Sequence, residues 1–340
     1  MTGTPKITGF PCAARRLALP VLCMLVLAGC GTASAGTKAD VVQTASPLRA
    51  PVWAPEQGEL LALNEEGSRV VRLNPASGKV DGSVAVGKAG EDMALNDTSR
   101  DELFVPQPNR NRIIEINTQT MRKERSFRTG FAPSYVAMNS GSDTLFFLSD
   151  DGSEVSGVDL QTREKAPAIG VGGDQETLLE APEKGSVPAF WTAEPKSVAY
   201  YYGDPPEKLG EKKIAADEIS VDTESLQRAY VAEGSTLTAL EGGPQRFLAG
   251  RLYATKSRDL GAEIGGVTSD DLYLYAATGD EFFAMEWASL QPLERVDIGG
   301  LLRGKGLGSA EISGIATDNS ADRVYLTLEG EPYVLRVEKP

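Results

Sequence analysis

The stretch "FAPSYVAMNSGSDTLFFLSDDGSEVSGVDLQT" runs from Phe131 to Thr162 and holds three short apolar runs, each closed by Gly, Asp, Asn or Ser. Runs of four to seven residues, rich in Val, Ile, Leu, Phe and Tyr and bounded by turn residues, read as β-strands. "SDDGSE" at Ser149 has the composition of a hairpin turn, as does "TGDE" at Thr278. The unit recurs along the chain. Its first run, "YVAMN", is matched by "DMALN" at Asp92, "EISVD" at Glu218 and "SGIATD" at Ser313. Its second, "TLFFLSD", is matched by "ELLALNE" at Glu59, "ELFVPQ" at Glu102, "RAYVAEG" at Arg228, "LYLYAATG" at Leu272 and "RVYLTLEG" at Arg323. Its third, "EVSGVDLQT", is matched by "RVVRLNPAS" at Arg69, "RIIEINTQT" at Arg112, "EFFAMEWAS" at Glu281 and "PYVLRVE" at Pro332.

The polar residue that closes the first run serves as a ruler. It falls at Pro55, Asn96, Asn139, Glu180, Asp222, Asp270 and Asp318, with spacings of 41, 43, 41, 42, 48 and 48. The fourth unit keeps the order of runs but not their wording. Seven units of this length, each of several short strands, predict an all-β fold: a seven-bladed β-propeller of four-stranded antiparallel blades. A lone blade leaves two apolar faces bare, and stacking in a ring covers both. The last unit has only three runs before Pro340. "KADVVQTAS", Lys38 to Ser46, is therefore expected to supply the missing outer strand of the last blade. A single ring of this kind is expected to be monomeric.

The 36 glycines and 20 prolines fit a turn-rich β fold. The formal net charge of -14 argues against a nucleic-acid partner, because an acidic surface repels phosphate. The first 29 residues read as a leader: Lys6, Arg15 and Arg16, then the apolar run "LALPVLCMLVLAG". Arg15-Arg16 lacks the flanking residues of a twin-arginine signal. The run ends in Leu27, Ala28, Gly29 and Cys30, which resembles the bacterial lipobox. That resemblance implies cleavage before Cys30, a diacylglyceryl group with palmitate-type chains on its thiol, and a lipid-anchored place on the extracytoplasmic side of the cell membrane. The expected organisation is a signal peptide at 1–29, a lipidated Cys and flexible tether at 30–37, and a propeller at 38–340. Cys12 and Cys23 would leave with the leader, so the remaining chain has no disulfide or Cys metal site. Loss of three basic residues takes the net charge to -17. Acidic headgroups would not hold such a body, so the lipid must.

The repeat resembles the YVTN-type, YncE-like propellers of bacterial secreted proteins, best over Asp92 to Thr162. That resemblance implies a fold and a setting outside the cytoplasm rather than an activity. The histidine count is zero, which excludes Ser-His-Asp and Cys-His catalysis and His-ligated metals. The expectation is a binding or interaction module for a small molecule or an envelope protein, with no cofactor. Two alternatives stay open: a propeller enzyme using carboxylates and a divalent cation, such as a lactone hydrolase, and an accessory subunit of an envelope complex.

Acidic residues stand at or near the start of five first runs: Asp92, Glu176, Glu218, Glu263 and Glu311, the last two within a shared "AEI-x-G" phrase. The innermost strand of a propeller blade lines the central channel. Converging there, these five form an anionic ring suited to Ca²⁺ or to a cationic group. Spread out, they are the solvated surface of an acidic protein. Tyr200-Tyr201-Tyr202, Trp53, Trp191 and Trp287 read as blade packing, since alternation sends neighbours to opposite faces. "DDGSE" at Asp150 reads as a turn, and "GLLRGKGLG" at Gly300 as a glycine-rich loop without the Walker ending.

Overall fold

A computed structural model describes residues 38–96, 98, 101–222, 228–242 and 251–340. The leader, the lipobox Leu27-Ala28-Gly29, Cys30 and the tether lie outside the described residues. Seven four-stranded antiparallel sheets follow one another along the chain. Their innermost strands are Leu48–Ala54, Ala94–Asn96, Pro133–Asn139, Leu178–Glu180, Glu218–Val221, Ile264–Ser269 and Ile312–Ala316. Each meets the next, and the seventh meets the first, so the sheets are blades of a closed seven-bladed β-propeller.

The packing explains the apolar runs. Seven hydrophobic clusters occupy the seven gaps between neighbouring blades. Successive residues of one strand serve opposite gaps: Leu61 and Leu63 face blade two, while Leu60 and Ala62 face blade seven. A strand buried on both sides needs a continuous apolar run rather than alternation. Tyr200 and Tyr201 divide in this way, one toward blade five and one toward blade three. Trp53 stacks on Tyr325 across the first and last blades, with centroids 5.0 Å apart, and Trp191 packs on Tyr200. Trp287 differs from expectation. It lies half-exposed beyond its strand, where the Arg228 guanidinium covers its ring at 4.2 Å.

The ring closes as the sequence predicts. Ala39–Gln43 pairs antiparallel with Glu331–Glu338 in the last blade, in the register Ala39↔Val337, Val41↔Leu335, Gln43↔Tyr333. Arg336 clamps this seam, donating to both oxygens of Asp40 at 2.5 and 2.6 Å and to the Pro75 carbonyl at 2.9 Å. The "GLLRGKGLG" segment is not a plain loop. A short helix, Gly299–Gly304, carries Leu302, which with Leu307 covers Leu328, Val41 and Tyr333 beside the seam. Its apolar pair finds a cover there, which is why the glycines do not keep it extended. "DDGSE" is a turn, with Gly152 at φ +72° and the Asp151 carboxylate accepting from Ser149 and Ser153.

The seam sets the first prediction. Leu335 is fully buried against the closing strand, so Leu335→Ala should cost about 2–4 kcal/mol. Asp40→Asn, at a half-exposed ion pair, should cost about 1 kcal/mol or less. Urea unfolding of the two variants measures both, and an indifferent response to Leu335→Ala would contradict the seam.

Candidate functional site

The innermost strands do not approach one another evenly. Blades six, seven and one are drawn together by glycine: a Cβ on Gly314 would lie 2.4 Å from Pro51 Cδ, and one on Gly266 would lie 3.1 Å from Ile315 Cγ2. Both glycines follow β-bulges, between Ile264 and Gly266 and between Ile312 and Gly314. A chamber of about 480 Å³ lies on the axis, walled by residues of all seven blades, among them Arg49, Asp92, Tyr135, Glu180, Glu218, Val267 and Ile315. A second chamber of about 250 Å³ adjoins it and shares the walls Pro51, Asp92, Glu180 and Ile315.

Two of the acids and a tyrosine hold equivalent positions in their blades. Asp92, Tyr135 and Glu218 each stand four residues before a closing residue, Asn96, Asn139 or Asp222, and so lie at one level of the ring. Glu180 arrives differently. In blade three the closing Asn139 pairs with the first residue of the next strand, Thr144; in blade four Glu180 pairs with the third, Trp191. Glu180 therefore sits two residues short of the closing position that the repeat spacing assigns to it, and Pro182 takes that place. The same offset moves Glu176 out of the first strand. Glu176 is exposed, its N–H bonded to the Asp174 carboxylate at 3.0 Å. Glu263 and Glu311 are also exposed, in the segments leading into the two bulges. Of the five acids named from the sequence, the structure brings Asp92 and Glu218 to the chamber and leaves Glu176, Glu263 and Glu311 outside its walls. Glu180, Tyr135 and Arg49 were not singled out from the sequence as site residues. The alignment of "YVAMN" with "DMALN" places Tyr135 level with Asp92, but a tyrosine carries no acidic signal.

The electrostatics follow from enclosure. Asp92, Glu180 and Glu218 are partly buried on the channel wall. Burial pushes Asp92 up to about 6, even though its carboxylate accepts from the Met93 N–H at 2.7 Å and feels Arg49. Burial, with Asp92 and Asp217 adding like charge, pushes Glu218 up to about 8. Glu180 lies well above the usual carboxyl range, through burial first and then the charges of Asp92 and Glu218. The Tyr135 phenol is raised by burial and by Asp92, Glu91 and Glu218, and stays a donor. Each of the three acids therefore resists ionisation more than a free carboxyl does. Arg49 does not neutralise them, because its guanidinium donates to the Gly90 and Glu91 carbonyls at 2.9 and 3.0 Å and lies 3.6 Å from the Glu91 carboxylate. Among the described residues no group of three Asp, Glu, His or Cys side chains is placed to hold one metal ion.

No family model matches the chain, and no curated protein does. Among solved structures, U3-55K is similar at a TM-score of 0.64 and 12% identity, over 88% of this chain and 98% of that one. At this identity the likeness concerns the fold. With 1542 solved chains matching, the propeller is too widely shared to select a function.

Stability should report the acids. Glu218 holds its proton more tightly folded than unfolded, where its value is near 4.5, so folding is favoured most below that pH and the gain is lost as pH climbs through about 8. Between pH 5 and 8.5, wild type should lose about 2–4 kcal/mol more than Glu218→Gln. Parallel urea titrations across that range test this, and superimposable pH profiles would refute it.

Proposed function

We propose that the chain is a binding module tethered by lipid to the extracytoplasmic side of a bacterial membrane, and that it takes a small ligand into its axial channel. The observation that carries this reading is the chamber of about 480 Å³ on the ring axis, whose walls combine apolar strands with enclosed acids of raised pKa. That volume suits a small molecule, and the lining is the mixture that ligand sites use. Perturbed acids gathered in a cavity favour function over chance. The propeller fold commonly serves binding and interaction. The tether rests on Leu27-Ala28-Gly29-Cys30, and the acidic body above it would be held near the membrane by acyl chains rather than by charge. The loop faces of the ring offer a surface to an envelope protein as well.

A second reading, hydrolysis by carboxyl groups, is favoured by one observation: Glu218 keeps a proton near neutrality, as a general acid must. Turnover of a lactone that Glu218→Gln abolishes would decide for it.

Two substitutions test the binding reading. Cys30→Ser should move the chain from the membrane fraction to the soluble one. Ile315→Trp places a bulky ring where the two chambers meet. The wild-type chain, purified from its own membranes in mild detergent, should release a small molecule on unfolding that the Ile315→Trp chain, folded by its thermal transition, does not carry. Equal ligand content in both chains, or none in either, would overturn the channel as the site.

A further inference from the structure

We infer that the outer strand of the second blade, Arg122–Arg128, is a docking edge for an extended acidic segment of another protein, which pairs with it as an added strand. This edge lies on the rim of the ring, apart from the axial channel, and does not depend on it. In its sheet the strand pairs only with Arg112–Asn117, so its other edge turns backbone N–H and C=O groups outward. Phe127 is half-buried, and the rest of the strand is exposed.

The charge on this edge sets it apart. The strand carries Arg122, Lys123, Arg125 and Arg128 against one acid, Glu124, in a chain whose net charge is -14. Charged side chains commonly guard the open edge of a sheet. The corresponding strands Lys79–Ala85, Pro206–Lys212, Tyr253–Asp259 and Gln291–Asp297 guard theirs with both signs, and in none does one sign exceed the other by more than one residue. Guarding alone therefore does not call for a row of one sign.

The row also works against the fold. Arg112 and Arg128 stand directly opposite one another in the ladder, where like charges repel. Burial, and then the charges of Arg112 and Arg110, hold the Lys123 ammonium below its usual value. Arg125 is paired, with Glu115 at 3.0 Å and Glu102 at 3.9 Å. Arg110, Arg112, Arg122, Lys123 and Arg128 form no ion pair among the described residues. Arg112 donates instead to the neutral Gln107 side chain at 2.6 Å.

Two properties select the occupant. A polypeptide strand presents N–H and C=O in alternation, as a bare sheet edge requires, and a lipid headgroup or a glycan does not. Carboxylates on alternate residues of such a strand meet guanidinium groups in their strongest geometry, two parallel N–H···O bonds. The same row turns away a second copy of itself, because two such edges would bring like charges together.

Fluorescence anisotropy of the full chain in detergent micelles tests this. The probes are a short peptide alternating Glu and Thr, its Gln counterpart, and a copy N-methylated at every residue. The Glu peptide should bind about tenfold more tightly than either of the others. Its binding should slow amide hydrogen exchange across Arg122–Arg128. Arg128→Glu places an acid opposite Arg112, so its urea midpoint should equal or exceed that of wild type while peptide affinity falls about tenfold. Lys256→Glu, on the outer strand of the fifth blade, should leave the affinity unchanged. Equal binding of the Glu and Gln peptides, or affinity unmoved by Arg128→Glu, would overturn the inference. N-methylation without effect would leave a plain polyanion surface and overturn it as well. Self-association of the chain that Arg128→Glu abolishes would give the edge to a second copy and refute the acidic partner.

Discussion

The structure depends on one constraint: every blade is apolar on both faces, so no blade is stable without two neighbours. Open repeat arrays meet this need with polar caps at their ends. A ring has no ends, and meets it by closing. The seam is where this constraint falls on a few residues. Leu335 and Val337, packed toward blade six, are held by a strand donated from nearly 300 residues away. The Arg336–Asp40 pair and the Leu302–Leu307 cover both lie at that junction. Two chain ends held in one sheet turn seven weak pairwise contacts into one cooperative unit.

Closure also shapes the channel. Seven innermost strands must share a circumference, and the glycines at 266 and 314 let blades six, seven and one crowd together. The chamber still runs past all seven blades, from Arg49 and Asp92 round to Val267 and Ile315. The enclosure that makes the strands pack also strips water from Asp92, Glu180 and Glu218, and desolvation is the first cause of the raised pKa at each.

The sequence displays the ring far more clearly than the site. Blade number, strand order and the closing strand follow from short apolar runs at fixed spacing, because burial on both faces is imposed on every unit alike. The site depends on single-residue register, which the spacing does not carry. Asp92 and Glu218 are legible because their blades keep four residues between acid and closing residue. Glu180 is not, because blade four replaces the common wording with the large rings of Phe190, Trp191 and Tyr200, and its pairing slips by two. The shared phrase around Glu263 and Glu311 does repeat for a reason. It is the bulge, Ile then glycine, that the phrase encodes, and the glutamates are only its exposed lead-in.

The enclosed acids are a burden to the fold. Asp92, Glu180 and Glu218 resist ionisation, and as pH rises they do so at the expense of the folded state. Nothing in the packing requires them: Gly266 and Gly314 line the same ring without charge, and Leu178 stands level with Asp92 in its own blade. A propeller built only to stack blades would be more stable with valine at these positions. Structural ion pairs elsewhere in the chain, such as Arg125 with Glu115, come with their cation supplied. Glu218 accepts from no donor among the described residues, and it stands beside a cavity of about 480 Å³. An acid that resists ionisation on the channel wall and is relieved by a bound ligand couples binding to stability.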